Sequence, residues 1–268
     1  MNKKNKRTSS VLVDVAIPNM GKFDFLEKCL SALPAAMGNI SYNVWICDNG
    51  SKPEELSFYD KYKDKQIHLT KYRQGVGYPK ACNVAARQGF APLILILTND
   101  VFLEPHSVEY LVREMDDPKT GIVGMKLLFP EGSPHGPSGK VQHVGIELDI
   151  RANFYHQFIA WNPNNPKVLA KKEAFAVTGA VFMTRRSIWS KLRGFNEIYG
   201  LGTYEDVEYA IETRKLGYNI KVSQEAIGYH WVNATAKEAG FAYPLNENKH
   251  IFMSRHNKDL RYDEWKYW

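Results

Sequence analysis

The sequence predicts an α/β domain built on a mainly parallel sheet flanked by helices. Three observations carry that reading. Apolar β-rich runs and helical segments alternate over residues 11–115, the rhythm of strand-helix-strand units. Leu93–Leu97 is wholly apolar, as a central strand covered on both faces must be. Beyond Gly121 the rhythm gives way to strand-like pieces around a Pro/Gly-rich loop at 130–139, which marks a mixed second half.

In chain order, 11–17 is a β-rich run stopped by Pro18, and 23–33 carries apolar residues at helical spacing. A short strand is expected at 44–47, a helix at 53–62, an extended segment at 67–72, a helix at 79–88, the central strand at 93–97 and a helix at 104–115. In the second half, strands are expected at 122–129, 141–148 and 175–184. A helix at 203–216 should end at Gly217, a residue suited to a helix stop.

With 268 residues, 44% hydrophobic and 24% charged, the chain is long enough to bury a full core. The expected organisation is a disordered basic tail at 1–9, one domain over 10–245 whose halves meet at 120, and an aromatic and polar extension at 246–268. No window approaches the roughly 18 uninterrupted apolar residues of a membrane span, and the first nine residues lack the apolar stretch of a signal peptide. A cytoplasmic protein is therefore expected. Cys29, Cys47 and Cys82 are odd in number and far apart, so they read as reduced thiols. A net charge of +6 and a pI near 9.0 suit diphosphates, an acidic membrane surface or nucleic acid. The basic residues are scattered outside 3–7, and no helix-turn-helix, zinc-finger or RNP pattern is present, so no nucleic-acid partner is expected. The aromatic tail at 262–268 is a candidate for a homo-oligomer contact or for peripheral contact with a membrane.

In an open α/β sheet, ligands bind outside the carboxyl ends of the strands. Three places qualify: Pro18-Asn19-Met20-Gly21-Lys22, Asp48-Asn49-Gly50-Ser51 and Thr98-Asn99-Asp100. Asp-Asn-Gly-Ser forms an Asx turn anywhere, and taken alone that turn is the stronger reading. A dinucleotide fold also places an acid after its second strand, but the first turn here lacks G-x-G-x-x-G, and Gly75-Val76-Gly77 has Lys80 where the third glycine should fall.

Read together, these pieces resemble glycosyltransferase family 2, particularly its rhamnosyltransferase-like bacterial members. Ala16-Ile17-Pro18, Val44 through Ser51, Gln74-Gly75-Val76-Gly77 with Asn83, and Leu95-Ile96-Leu97-Thr98-Asn99-Asp100 follow the family's order. So do Gly121-Ile122-Val123-Gly124, Val177-Thr178-Gly179-Ala180, Gly194-Phe195-Asn196-Glu197, and Glu205-Asp206 with Leu216-Gly217-Tyr218. The resemblance implies the GT-A fold, a Rossmann-like sheet with a mixed acceptor half, and transfer of a sugar from a nucleotide-diphosphate donor (UDP, dTDP or GDP) to a hydroxyl of a glycan or glycolipid, as in polysaccharide biosynthesis. It implies donor contacts at Pro18, Asp48, Asn49, Gly75, Lys80, Asn83 and Asn99, a divalent metal (Mn²⁺ or Mg²⁺) on Asp100 and His230, and a base at Asp206 with Glu205 beside it.

Two departures stand out. Thr98 occupies the first place of the family's Asp-x-Asp metal motif, and Asn19-Met20-Gly21-Lys22 differs from the residues usual after the first strand. Hard divalent ions bind with few protein ligands and complete their shells with water and phosphate oxygens, so one Asp and one His suffice. Competing readings stay open: a packed core histidine at 230, a surface lysine at 80, a solvated carboxylate at Glu205, and a capping box from Thr203 to Asp206. A helix dipole would hold a first-turn carboxylate ionised, which serves a base equally well. The alternative functions are an inactive homologue that binds nucleotide or glycan, favoured by Thr98, and a sugar nucleotidyltransferase, which would need a Gly-rich basic loop after the first strand that 18–22 does not supply.

Overall fold

In the computed structural model, residues 11–63, 66–149, 153–232 and 240–260 are described. The tails at 1–9 and 262–268, with the disorder expected of the first and the contacts expected of the second, lie outside them. The strands are β1 (Val13–Asn19), β2 (Tyr42–Asn49), β3 (Ile67–Tyr72), β4 (Leu93–Leu97), β5 (Val101–Leu103), β6 (Thr120–Leu128), β7 (Val141–His143), β8 (Ile146–Leu148), β9 (Phe154–His156), β10 (Val181–Arg185) and β11 (Asn219–His230). The α-helices are α1 (Phe23–Met37), α2 (Tyr78–Gln88), α3 (Ser107–Glu114), α4 (Pro166–Leu169), α5 (Arg186–Leu192), α6 (Glu205–Lys215) and α7 (Leu245–His256), with 3₁₀ turns at Pro53–Tyr62 and Glu197–Tyr199.

One nine-stranded sheet runs β3-β2-β1-β4-β10-β6-β11-β5, with β7 on the side of β6. β3, β2, β1 and β4 are parallel to one another, and β10 is antiparallel to both β4 and β6. Both halves of the chain therefore share one sheet. Strand alternation sorts the core into two layers. Val13, Val15, Ile17, Leu93, Leu95 and Leu97 face α1 and α3, while Ala16, Ile94 and Ile96 face α2, α5 and α6. On that second face the fully buried Asp14 carboxylate accepts from Arg186 Nη2 at 2.7 Å, Trp45 Nε1 at 2.7 Å and the Ala91 amide at 2.6 Å.

The first half follows the expected alternation closely, and the deviations have local causes. β1 runs through Pro18 because the register with β4 ends at Ala16↔Ile96, so a missing N–H there breaks no bond to that neighbour. The segment 53–62 winds as a 3₁₀ helix. In place of one strand at 141–148 there are two, separated at Gly145, whose φ of +120° turns the chain. Of 175–184 only the end enters the sheet as β10; the amide of Ala176 is bonded instead to Ile146 of β8, in the separate two-stranded sheet with β9. Helix α6 ends as expected: Gly217 (φ +87°) donates to the Arg214 carbonyl and Tyr218 to that of Thr213, a Schellman closure. The segment from Asn246 carries α7, and Phe252 is fully buried in the same core as α6. Among the described residues no helix is long and apolar enough to cross a membrane, and Cys29, Cys47 and Cys82 are all buried and free.

Candidate functional site

The strand ends converge on a cleft of about 490 Å³. Pro18 and Asn19 come from the end of β1, Asn49 from β2, Gly75 from the turn before α2, and Thr98-Asn99-Asp100 from the end of β4. The second half supplies Thr178 and Gly179, then Glu205 and Asp206 at the head of α6, and His230 at the end of β11. Glycine is required where the first half closes around it. A Cβ on Gly50 (φ +92°) would lie 2.5 Å from the Gly75 nitrogen, and one on Gly77 (φ +89°) would lie 2.1 Å from the Gly200 carbonyl oxygen. Asn49 completes that closure by accepting from the Val76 amide at 2.6 Å.

Not every expected donor residue reaches the cleft. Asp48 is fully buried beneath it, with Oδ2 accepting from Ser51 Oγ and Tyr59 O–H at 2.7 Å each and Oδ1 from the Ser51 amide at 2.9 Å. Its oxygens build the Asx turn that the residues alone suggest. Tyr59 extends this network through Asn19, which donates to it at 2.9 Å and accepts from Asn99 Nδ2 at 2.7 Å, so the ends of β1, β2 and β4 are locked together. Asn83 is also fully buried and away from the lining; it brackets Phe195, donating to its carbonyl and accepting from its amide at 2.8 Å each. Lys80 is half-buried and likewise not among the lining residues.

Asp100 and His230 are the pair that could hold a cation. His230 Nε2 lies 3.6 Å from Asp100 Oδ1, within the roughly 4.2 Å that two ligands of one ion at about 2.1 Å can span. The other ring nitrogen, Nδ1, faces the Gln142 side-chain oxygen at 3.2 Å. In a neutral imidazole that contact places the proton on Nδ1 and turns the bare Nε2 toward a carboxylate. Two acceptors then face each other, and a cation between them would satisfy both. With His230 protonated instead, and no cation between them, burial pushes the Asp100 carboxyl up, but the His230 charge and hydrogen bonds from His230 and Thr98 outweigh it and hold it below its usual range. Thr98, in the motif's first place, donates Oγ1–H to Asp100 Oδ1 at 2.6 Å and so orients the carboxylate. Among the described residues no third His, Cys, Asp or Glu joins the pair.

Asp206 sits across from a glycine turn. Its Oδ2 accepts from the Gly179 amide and its Oδ1 from the Val207 amide, both at 2.8 Å. The capping box does not form: Tyr204, in left-handed backbone, is the N-cap and makes no side-chain cap bond. Nor is Asp206 held low as a helix dipole alone would have it. Burial raises its carboxyl above the usual range, against the lowering pull of the Gly179 and Val207 amides. Glu205, 5% exposed, is raised much further, by burial first and then by the Asp206 charge. The pair therefore shares its charge unequally: Asp206 ionises first and Glu205 keeps its proton. The Oε2 of Glu205 is buried without a hydrogen-bond partner.

This imbalance has a measurable cost. Because the folded Glu205 binds its proton more tightly than the unfolded one, stability falls as pH rises from the ordinary glutamate range toward the raised value. Glu205→Gln removes that slope. The expected result is a melting temperature at pH 7 higher by a few degrees, on the scale of about 1 kcal/mol, with the gain vanishing near pH 4; a variant less stable than the native protein at pH 7 would contradict the assignment.

The sequence analysis missed the lining residues Tyr78, Gln142, His156, Phe241, Tyr243 and Leu245, and it named Thr178 and Gly179 only as part of the ordered series, with no site role. Tyr78 donates to the Gly179 carbonyl at 2.7 Å, clamping the turn on which Asp206 rests. His156 packs 3.0 Å from His143, Nδ1 to Nδ1, and burial pushes it down to about 4, so it stands neutral in the cleft at physiological pH. Trp161 and Trp231 do not line it; the Trp231 ring packs on Phe25.

A curled, mostly parallel sheet flanked by helices, with a cleft at its strand ends, is of the GT-A type. The chain belongs to glycosyl transferase family 2, whose sequence profile matches residues 14–192 of the 268. Among curated proteins it is 26% identical over 234 residues to the O-antigen biosynthesis protein RfbC of Myxococcus xanthus, and 21% identical over 232 residues to the uncharacterized protein y4gI of Sinorhizobium fredii. Each alignment takes in 84% of this chain but only 18% and 25%, respectively, of those relatives' length. Among solved structures it resembles GalNAc-T7 with UDP, GalNAc and Mn²⁺ (TM-score 0.67, 13% identity, 95% of this chain and 50% of that one). It also resembles the mannosyltransferase PcManGT of Pyrobaculum calidifontis with GDP-Man and Mn²⁺ (TM-score 0.60, 16% identity, 85% and 59%). At such identities the likeness speaks for the fold.

Proposed function

We propose that the protein transfers a sugar, with inversion, from a nucleoside-diphosphate donor to a hydroxyl of a glycan or glycolipid, in the assembly of a bacterial-type polysaccharide. The observation that carries this reading is the Asp206 carboxylate, fixed by two amides in the same cleft as the Asp100–His230 pair. The acceptor oxygen attacks the anomeric carbon and gives its proton to Asp206. The bond from that carbon to the diphosphate breaks, and its electron pair leaves with the nucleoside diphosphate. Asn49, Gly75, Asn99 and Pro18 frame the nucleoside, while Asp48 and Asn83 act one layer behind by shaping the turns that do so. Asp100 and His230 fit a hard divalent cation, Mn²⁺ or Mg²⁺, which when bound supplies positive charge for the leaving diphosphate. The relatives named for O-antigen synthesis and for Mn²⁺ complexes with nucleotide sugars support this direction. The family resemblance and the basic charge support a cytoplasmic enzyme working at the inner membrane face.

Incubation with UDP-, dTDP- and GDP-sugars and a panel of glycan acceptors, followed by proton NMR, tests the stereochemical half of this reading. A product whose anomeric configuration is opposite to that of the donor is expected. Retained configuration would rule out a single displacement with Asp206 as base.

A further inference from the structure

The loop that delivers Glu205 and Asp206 is wound through unusual backbone. Its φ angles are +56° at Gly200, +123° at Gly202, +84° at Thr203 and +70° at Tyr204. Glycine tolerates such values, but β-branched Thr203 and aromatic Tyr204 do not, so the loop keeps this path only if its surroundings over-determine it. The constraint comes from α7, beyond the segment matched by the family profile. Asn248, 3% exposed, directs its side-chain amide nitrogen at the loop: Nδ2 is 2.7 Å from the Gly202 carbonyl oxygen, 3.0 Å from that of Tyr199, 3.3 Å from that of Thr203 and 3.1 Å from Thr203 Oγ1. Both N–H groups of the amide are thus spent on this one loop. Two turns later Arg255 donates from Nε and Nη2 to the Glu208 carboxylate at 3.1 Å each, and the Tyr204 ring packs on Phe252 with centroids 5.3 Å apart. On the other side, Asp206 is tied to the Gly179 amide at 2.8 Å.

We propose that Asn248 is a positioning residue: it holds the 200–204 loop in its left-handed path and thereby aims the Asp206 carboxylate at the cleft. The consequence for turnover rests on the reading of Asp206 as base, but the consequence for geometry does not. The Gly179 amide reports the carboxylate's place directly, because its protection from exchange depends on the bond to Asp206.

The test is amide hydrogen exchange by NMR together with steady-state kinetics on Asn248→Ala and Asn248→Gln. In the alanine variant, exchange at Gly179 is expected to rise by roughly tenfold or more while amides of Leu93–Leu97 stay as in the native protein, the pattern of local rather than global opening. The kcat is expected to fall by about a hundredfold, with the KM for the donor changed by less than about twofold, as for a misaimed group that does not touch the donor. Glutamine, which keeps the amide, should recover part of both. Unchanged exchange at Gly179, or acceleration spread evenly over the sheet with kcat following the folded fraction, would overturn the proposal. A native protein with no turnover would sink the base assignment alone, since the Gly179 readout still decides whether Asn248 positions Asp206.

Discussion

Asp206→Asn is expected to lower kcat by about 10²- to 10⁴-fold, the usual worth of a positioned general base, while nucleoside-diphosphate affinity stays close to native. Asparagine keeps the size and shape but has a single acceptor oxygen, so it retains one of the two amide bonds, from Gly179 or Val207, and sets its NH2 against the other; the loss therefore combines lost basicity with one lost positioning bond. The pH dependence of the native protein should agree. The base works only when deprotonated, so the rate falls as pH drops through its pKa. Burial raises the Asp206 carboxyl despite its amide donors, so this acid limb should lie above the ordinary aspartate value of about 3.9. An acid limb at or below the ordinary range, or a fully active asparagine variant, would remove Asp206 from the reaction.

Asp100→Ala is the second large effect. It deletes the carboxylate that His230 Nε2 faces at 3.6 Å and that Thr98 orients. Stabilising charge on a leaving diphosphate is worth several kcal/mol, so kcat/KM is expected to fall by about a hundredfold or more. The loss should appear in nucleotide binding as well, because a cation held by Asp100 and His230 would also attract the donor's diphosphate. That double loss separates it from Asp206→Asn, where binding survives. A variant at Asp100 that retains metal-dependent binding would move the ion elsewhere.

The parts of the fold legible in the sequence are those whose burial follows a simple period. Leu93–Leu97 and Ile67–Tyr72 emerge with the bounds expected of them, because an apolar run or β-rich segment is bounded by turn residues. β11 escaped because a bulge between Ser223 and Ile227 shifts its register against β6, and the alternation of apolar and polar residues breaks with it. α7 escaped for a different reason. Its inward residues are Asn248, Phe252 and His256, spaced as a helix face should be but mostly polar, buried on hydrogen bonds that no hydrophobic pattern announces.

The site divides in the same way. Asp100, Asn49 and Pro18 follow apolar strands, so their place at the sheet's carboxyl edge could be read from position alone. Asp48 and Asn83 stand at equally suggestive positions, yet their side chains turn into the protein, a choice made by Ser51, Tyr59 and Phe195 through contacts that chain order does not display. Gln142 and His156 reach the cleft from separate short strands with no motif of their own. Resemblance located the carboxylate pair on α6, but only the folded chain shows that burial makes the two carboxyls unequal.

Thermal unfolding with UDP, dTDP and GDP, each with and without Mn²⁺, on the native protein and Asp100→Ala, tests the central claim most directly. A ligand at a hundred times its Kd stabilises by about 2.7 kcal/mol, an easily read shift. The expected result is metal-dependent stabilisation of the native protein by one nucleotide class, abolished in the variant. No stabilisation by any nucleotide, or a shift that survives the loss of Asp100, would contradict a nucleoside-diphosphate site built on Asp100 and His230.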